Sequence, residues 1–85
     1  MHRQVERQHP TPTFLQRATA LLRRTLPANA LWQEPTVGLS AVETHEGVLY
    51  MVLRNNKGIL AVFQILDDEE MEQLDHWPSE ISEEA

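Results

Sequence analysis

Two histidines stand beside carboxylates in this chain, His45 between Glu43 and Glu46 and His76 next to Asp75. Hydrolytic chemistry needs a base within hydrogen-bond reach of a nucleophile or a water, and a carboxylate-backed histidine is the usual supplier. Neither pair lies in a motif that fixes such geometry, and acids flanking a histidine in a polar stretch read as a solvated turn. His2 and His9 sit in an N-terminal segment with nothing to orient them. Asp67, Asp68, Glu69 and Glu70 would gather a divalent cation only loosely, because the glycine and oxygen spacing of a calcium loop are missing. Gly38, Gly47 and Gly58 form no phosphate-cradling loop, and the absence of cysteine removes thiol nucleophiles, thiolate zinc ligands and disulfides together. The expectation is a non-enzyme with no catalytic residues, metal site or cofactor, and with no small-molecule substrate evident.

Charge is unevenly placed. The net value is −6, yet residues 1–24 carry five arginines against Glu6, while residues 25–85 set Arg54 and Lys57 against twelve acids. Nine of those carboxylates lie from Asp67 onward, with no Lys or Arg among them. Such a block is a solvated face, or it meets a basic surface on a partner. The basic stretch raises nucleic acid as an alternative, with Arg3, Arg7, Arg17, Arg23 and Arg24 on phosphates and Tyr50 or Phe63 stacking on bases. Overall acidity opposes that reading. Its converse, mimicry of nucleic-acid charge by the acidic segment, suffers because the carboxylates bunch at one end. No apolar run approaches the ~18 residues of a membrane span. MHRQVERQHP has basic residues but no apolar segment behind them, so no secretory signal is expected and the default location is cytoplasmic.

These residues need elements to hold them. Eighty-five residues make one small domain, which without disulfides must rest on packing or on a partner. Residues 1–12 are polar, contain Pro10 and Pro12, and read as a flexible basic arm. Phe14, Leu15, Ala18, Leu21, Leu22 and Leu26 recur at the spacing of one helical face, and Pro27 stops it. An amphipathic helix is therefore predicted over residues 13–26, with Thr13 placed to cap it. In the connector 27–36, Leu31 and Trp32 are the large apolar side chains; Trp32 either folds back over the core edge or meets a partner.

Residues 37–66 read as sheet: a strand over 37–42, a polar turn over 43–47, and β-rich runs over 48–54 and 59–66 joined at residues 55–58. Pairing Arg54 with Ile59 sets Val52 opposite Ala61, Tyr50 opposite Phe63 and Val48 opposite Ile65. Both faces are then apolar. A 14-residue helix, about 21 Å long, covers one of them. The other needs the C-terminal segment, a second copy or another protein. In residues 67–77 a helix is favoured, with Met71, Leu74 and Trp77 on one side, over a turn followed by a short strand at 71–74. Residues 79–85 read as a frayed acidic tail and 13–78 as the domain. The predicted fold is α+β, an N-terminal amphipathic helix on an antiparallel sheet of about three strands, with a short acidic C-terminal helix or strand. The predicted function is that of a small non-catalytic protein-binding or regulatory protein, an adaptor that self-associates as a homo-oligomer or docks on a protein partner. Its partner-binding candidates are Trp77, Met71, Leu74, Met51, Tyr50 and Trp32.

Overall fold

The computed structural model describes residues 6–67 and 70–81. Helix α1 spans Pro12–Thr25. Thr11 stays extended while its hydroxyl accepts a hydrogen bond from the Phe14 N–H at 3.3 Å, and Pro12 fits the first turn because it has no N–H to leave unpaired. Arg23 and Arg24 occupy the last turn, where the helix dipole favours cations. The helix thus begins one residue earlier than its apolar spacing indicates, with Thr11 as the cap in place of Thr13.

Five strands lie in chain order across one antiparallel sheet: β1 (Glu6–Gln8), β2 (Ala41–His45), β3 (Val48–Asn55), β4 (Gly58–Ile65) and β5 (Met71–Gln73). The sheet is therefore larger than the three strands expected, and both additions come from segments whose sequence conceals them. β1 lies inside the stretch read as a flexible arm, with Glu6, Arg7 and Gln8 opposite Thr44, Glu43 and Val42. Its residues are all exposed and show no apolar alternation, so only the open hydrogen-bonding edge of β2 selects the strand. β5 occupies the segment for which a helix was favoured, with Met71 opposite Ile65 and Gln73 opposite Phe63. A short helix bears the full nucleation penalty, whereas a strand docked on an existing edge does not. Both edge strands are short and polar, which blunts the sheet against further pairing.

β2 begins later than expected and runs through Glu43 to His45, so these two residues belong to a strand and not to the predicted turn. The turn shrinks to Glu46 and Gly47, whose φ values of 51° and 80° are the double positive of a type I′ hairpin. The next hairpin is equally tight: Asn55 pairs with Gly58, and the Asn55 side-chain oxygen accepts from the Lys57 N–H at 2.9 Å. Arg54 does face Ile59, but Leu60 is then an extra residue in β4. Leu53 consequently faces Ala61, Val52 faces Val62, Met51 faces Phe63 and Tyr50 faces Gln64, which corrects the even register expected from the sequence.

The alternation of β3 divides the molecule into two layers of core. Met51 and Leu53 point to the helix side and pack with Ala18, Leu22, Val42 and Phe63. Tyr50 and Val52 point to the reverse side and pack with Val62 and Ile81, edged by Leu74 and Trp77. The reverse face is thus covered by the chain itself, through a strap of residues 74–81 that carries on from β5. Of the three covers that the pattern allowed, the C-terminal segment is the one that packs there. Ile81, placed in a frayed tail by the sequence reading, is packed down at 3% exposure, while Ser79 and Glu80 beside it stay exposed. Residues 1–5, 68, 69 and 82–85, which include Arg3, Asp68, Glu69, Glu83 and Glu84, lie outside the described residues. No helix among the described residues is long and apolar enough to cross a membrane.

Candidate functional site

On the reverse side of the sheet the alternation of β2 places Glu43 and His45 on the same face as Tyr50, Val52 and Arg54. Glu43 and Arg54 are wholly buried, and the Arg54 Nη1 donates to the Glu43 Oε2. The other Glu43 oxygen faces the Arg7 Nε at 3.6 Å from β1. Where the bulge interrupts the ladder, the Ser40 hydroxyl accepts from the Arg54 N–H at 3.0 Å and donates to the Thr36 carbonyl at 3.0 Å. Further along the row the His45 Nε2 lies 3.7 Å from the Glu80 Oε1 of the strap. Desolvating two charges costs several kcal/mol each, so such a pair persists only with close mutual geometry and exclusion of water. Glu43, Arg54 and His45 are all buried, and a hollow of about 300 Å³ lies beside Arg54, between Arg7, His9, Gly38 and Ser40. The sequence does carry a signal for the pair: Glu43 and Arg54 share the parity of Ala41, Val48, Tyr50 and Val52, with His45 as the one other polar member.

The helix side is built differently. Three shallow hollows flank α1. One of about 470 Å³ is bounded by Arg17, Leu21, Arg24, Leu66 and Met71. A second, of about 400 Å³, lies between Thr19, Arg23, Glu34 and Val37, and a third, of about 160 Å³, between Leu22, Leu26, Leu31 and Leu60. The exposed large apolar side chains among the described residues are Leu31 (88%), Val37 (62%), Leu66 (51%) and Leu49 (43%). The first three each line one of these hollows, and the parity of β3 puts Leu49 on the same side of the sheet as Met51 and Leu53. Trp32 folds back on the helix-side core; the Arg23 guanidinium lies 4.5 Å from its ring centre, and its indole N–H donates to the Glu34 Oε2 at 2.6 Å.

The partner candidates named from the sequence are scattered by this arrangement. Met71 and Trp32 are half-buried on the helix side, and Met71 borders the largest hollow. Leu74 and Trp77 belong to the strap and pack on the reverse core. Met51 and Tyr50 are corrected outright: each lies inside one of the two cores and presents no open surface to a partner. The burial of Tyr50 and Phe63 also leaves neither ring available for stacking on a base. Among the basic residues, Arg7 faces Glu43 and Arg23 faces Glu34 at 3.9 Å. His76 and Asp75 are exposed on the strap. No cluster of three or more His, Asp or Glu that could hold a metal occurs among the described residues. The geometry defines an α+β domain with a buried polar row on one side of the sheet and open hollows flanking the helix on the other. No protein-family model, curated protein or solved structure matches the chain.

Proposed function

We infer that this chain is a small non-catalytic protein-binding protein that docks on a protein partner through the helix-bearing side of its sheet. The observation that carries this reading is the one-sided distribution of exposed apolar side chains: Leu31, Val37, Leu49 and Leu66 all fall on the helix side. Apolar surface gathered on one face beside concave relief favours association, because joining it to a partner removes it from water at about 25 cal/mol per Å². The hollow under Leu31 is the size of a single apolar side chain, which suits an anchor residue from a partner. The non-catalytic part of the reading rests on the buried row of Glu43, His45 and Arg54, in which Glu43 is paired with Arg54 and the His45 Nε2 lies 3.7 Å from Glu80.

The test is site-specific photocrosslinking in cells that make the protein, with the reactive side chain placed at Leu31, Val37 or Leu66 and, as controls, at Asn56 or Glu72. Discrete protein adducts from the first three positions and none from the controls are expected. Adducts spread evenly over all five positions, or none at all, would sink the proposal. Sedimentation of the purified chain, run alongside, separates a foreign partner from a second copy.

A further inference from the structure

We propose that the reverse face of the sheet is a recognition groove for an acidic–apolar protein segment, and that the strap of residues 74–81 is its built-in competitor. The inference stands apart from the helix-side surface, since it concerns the opposite face and different residues. Its starting point is that the groove already shows what fits it. Leu74, Trp77 and Ile81 lie against Tyr50, Val52 and Val62, and Glu80 meets His45 one residue before the last apolar anchor. The occupant chemistry is therefore three apolar side chains at i, i+3 and i+7 with a carboxylate at i+6. A segment of another protein carrying that pattern would make the same contacts.

Three observations distinguish this strap from an ordinary part of the core. Its backbone has no helix and no strand beyond β5, and it joins the sheet through the Leu74 N–H donating to the Val62 carbonyl at 2.9 Å. Of its three apolar anchors only Ile81 is fully buried; Leu74 and Trp77 stay half-exposed. The charged pair on this side does not depend on the strap, because Glu43 accepts from the Arg54 Nη1 through one oxygen and faces the Arg7 Nε of β1 with the other. Lifting the strap uncovers an apolar floor with one polar reader, His45, at its margin. Segments with so little regular backbone bonding belong to the low end of local stability, where opening precedes global unfolding. As a tethered ligand the strap enjoys an effective concentration in the millimolar range, so an incoming segment binds weakly until the strap is weakened. Occupancy is then set by the ratio of the two affinities.

The probe is a fluorescent peptide of residues 71–81 (MEQLDHWPSEI) added in trans to the full chain, with binding read by anisotropy. Ile81→Ala in the chain weakens only the tethered copy, and at least tenfold tighter peptide binding than to the parent is expected. Glu80→Gln in the chain, a milder change that leaves the apolar anchors intact, should tighten binding two- to threefold. A peptide bearing Glu80→Gln should bind the parent more weakly than the native peptide, and this difference should vanish on a His45→Gln chain. Equal binding to the parent and to both chain variants, or equal binding of a scrambled peptide, overturns the proposal. Should Ile81→Ala lose its folded circular dichroism, the Glu80→Gln chain and the His45→Gln comparison decide alone. Strap exchange between copies, seen as a dimer in the parent that the free peptide cannot dissociate, also overturns it.

Discussion

The helix covers its face of the sheet with a row of apolar side chains on a regular backbone, whereas the strap covers the reverse face with three anchors and a Glu80–His45 contact on a backbone almost without regular structure. The polar content follows the cover. Under the helix the core is wholly apolar, and the surrounding surface remains apolar and open at Leu31, Val37 and Leu66. On the reverse side, the apolar floor under the strap is continued along the sheet by the buried Glu43–Arg54 pair, which is tolerable only with little water around it. Dispersion and hydrophobic contact are non-directional and leave a face that can be extended by a partner. A buried charge pair is directional, and here it is met by a third charged side chain, Arg7 from the edge strand.

The largest effect should come from breaking that pair. Glu43→Leu leaves the Arg54 guanidinium buried beside an aliphatic side chain and should lower stability by about 3–5 kcal/mol, a large share of the ~5–15 kcal/mol typical of domains. Glu43→Leu combined with Arg54→Met removes both charges and should recover most of the loss. Urea melts of the two variants test this; a loss below about 1 kcal/mol in the single variant would mean that the reverse face is not a closed polar core.

A second measurement sets the two covers against each other. Phe63→Ala removes a fully buried ring from the helix-side core and should cost about 3–5 kcal/mol, felt by every element. Ile81→Ala removes the strap's buried anchor at about 2–5 kcal/mol, and much of that loss should appear as local opening. Hydrogen exchange would show faster amides in residues 74–81 with α1 still protected, and Trp77 emission in a Trp32→Phe background would move to the red. If α1 loses protection in step with the strap, helix and strap are one cooperative unit and the contrast fails.

The smallest effect concerns the clasp between strap and sheet. The Glu80 carboxylate is about half exposed, so its contact with His45 is screened by solvent, and Glu80→Gln should change global stability by about 0–1 kcal/mol. A larger loss in a thermal melt would show that the strap is held by charge more than by Ile81.

Some of this was legible in the residues themselves. The apolar face of α1 follows from the spacing of Phe14, Ala18, Leu21 and Leu22, and the β3–β4 hairpin from two β-rich runs around Asn55 and Gly58. The division of β3 into two apolar faces was also visible, and so was the need to cover both. The candidate residues fared unevenly because hydrophobicity marks a side chain for burial without saying beneath what. Met51 and Tyr50 read as surface anchors from their type, yet both lie under covers supplied by distant segments. Glu43 and His45 read as a solvated turn because charge is a strong prior for exposure. Burial of Glu43 required Arg54 eleven residues away and Arg7 on a strand that its own sequence does not announce.

What the sequence by itself determined was local: one helix, one hairpin, two apolar faces on β3, and an acidic segment rich in carboxylates. These follow from periodicity, from the missing N–H of proline and from the backbone freedom of glycine and asparagine, all of which act within a few residues. The tertiary structure alone decided the rest. β1 and β5 exist because the edges of β2 and β4 offered unpaired N–H and C=O groups to segments with weak preferences of their own. The extra residue at Leu60 set the register, since packing against the helix side drew Leu60 and Ala61 to one face. The strap closed the apolar part of the reverse side because Tyr50, Val52 and Val62 would otherwise lie open to water.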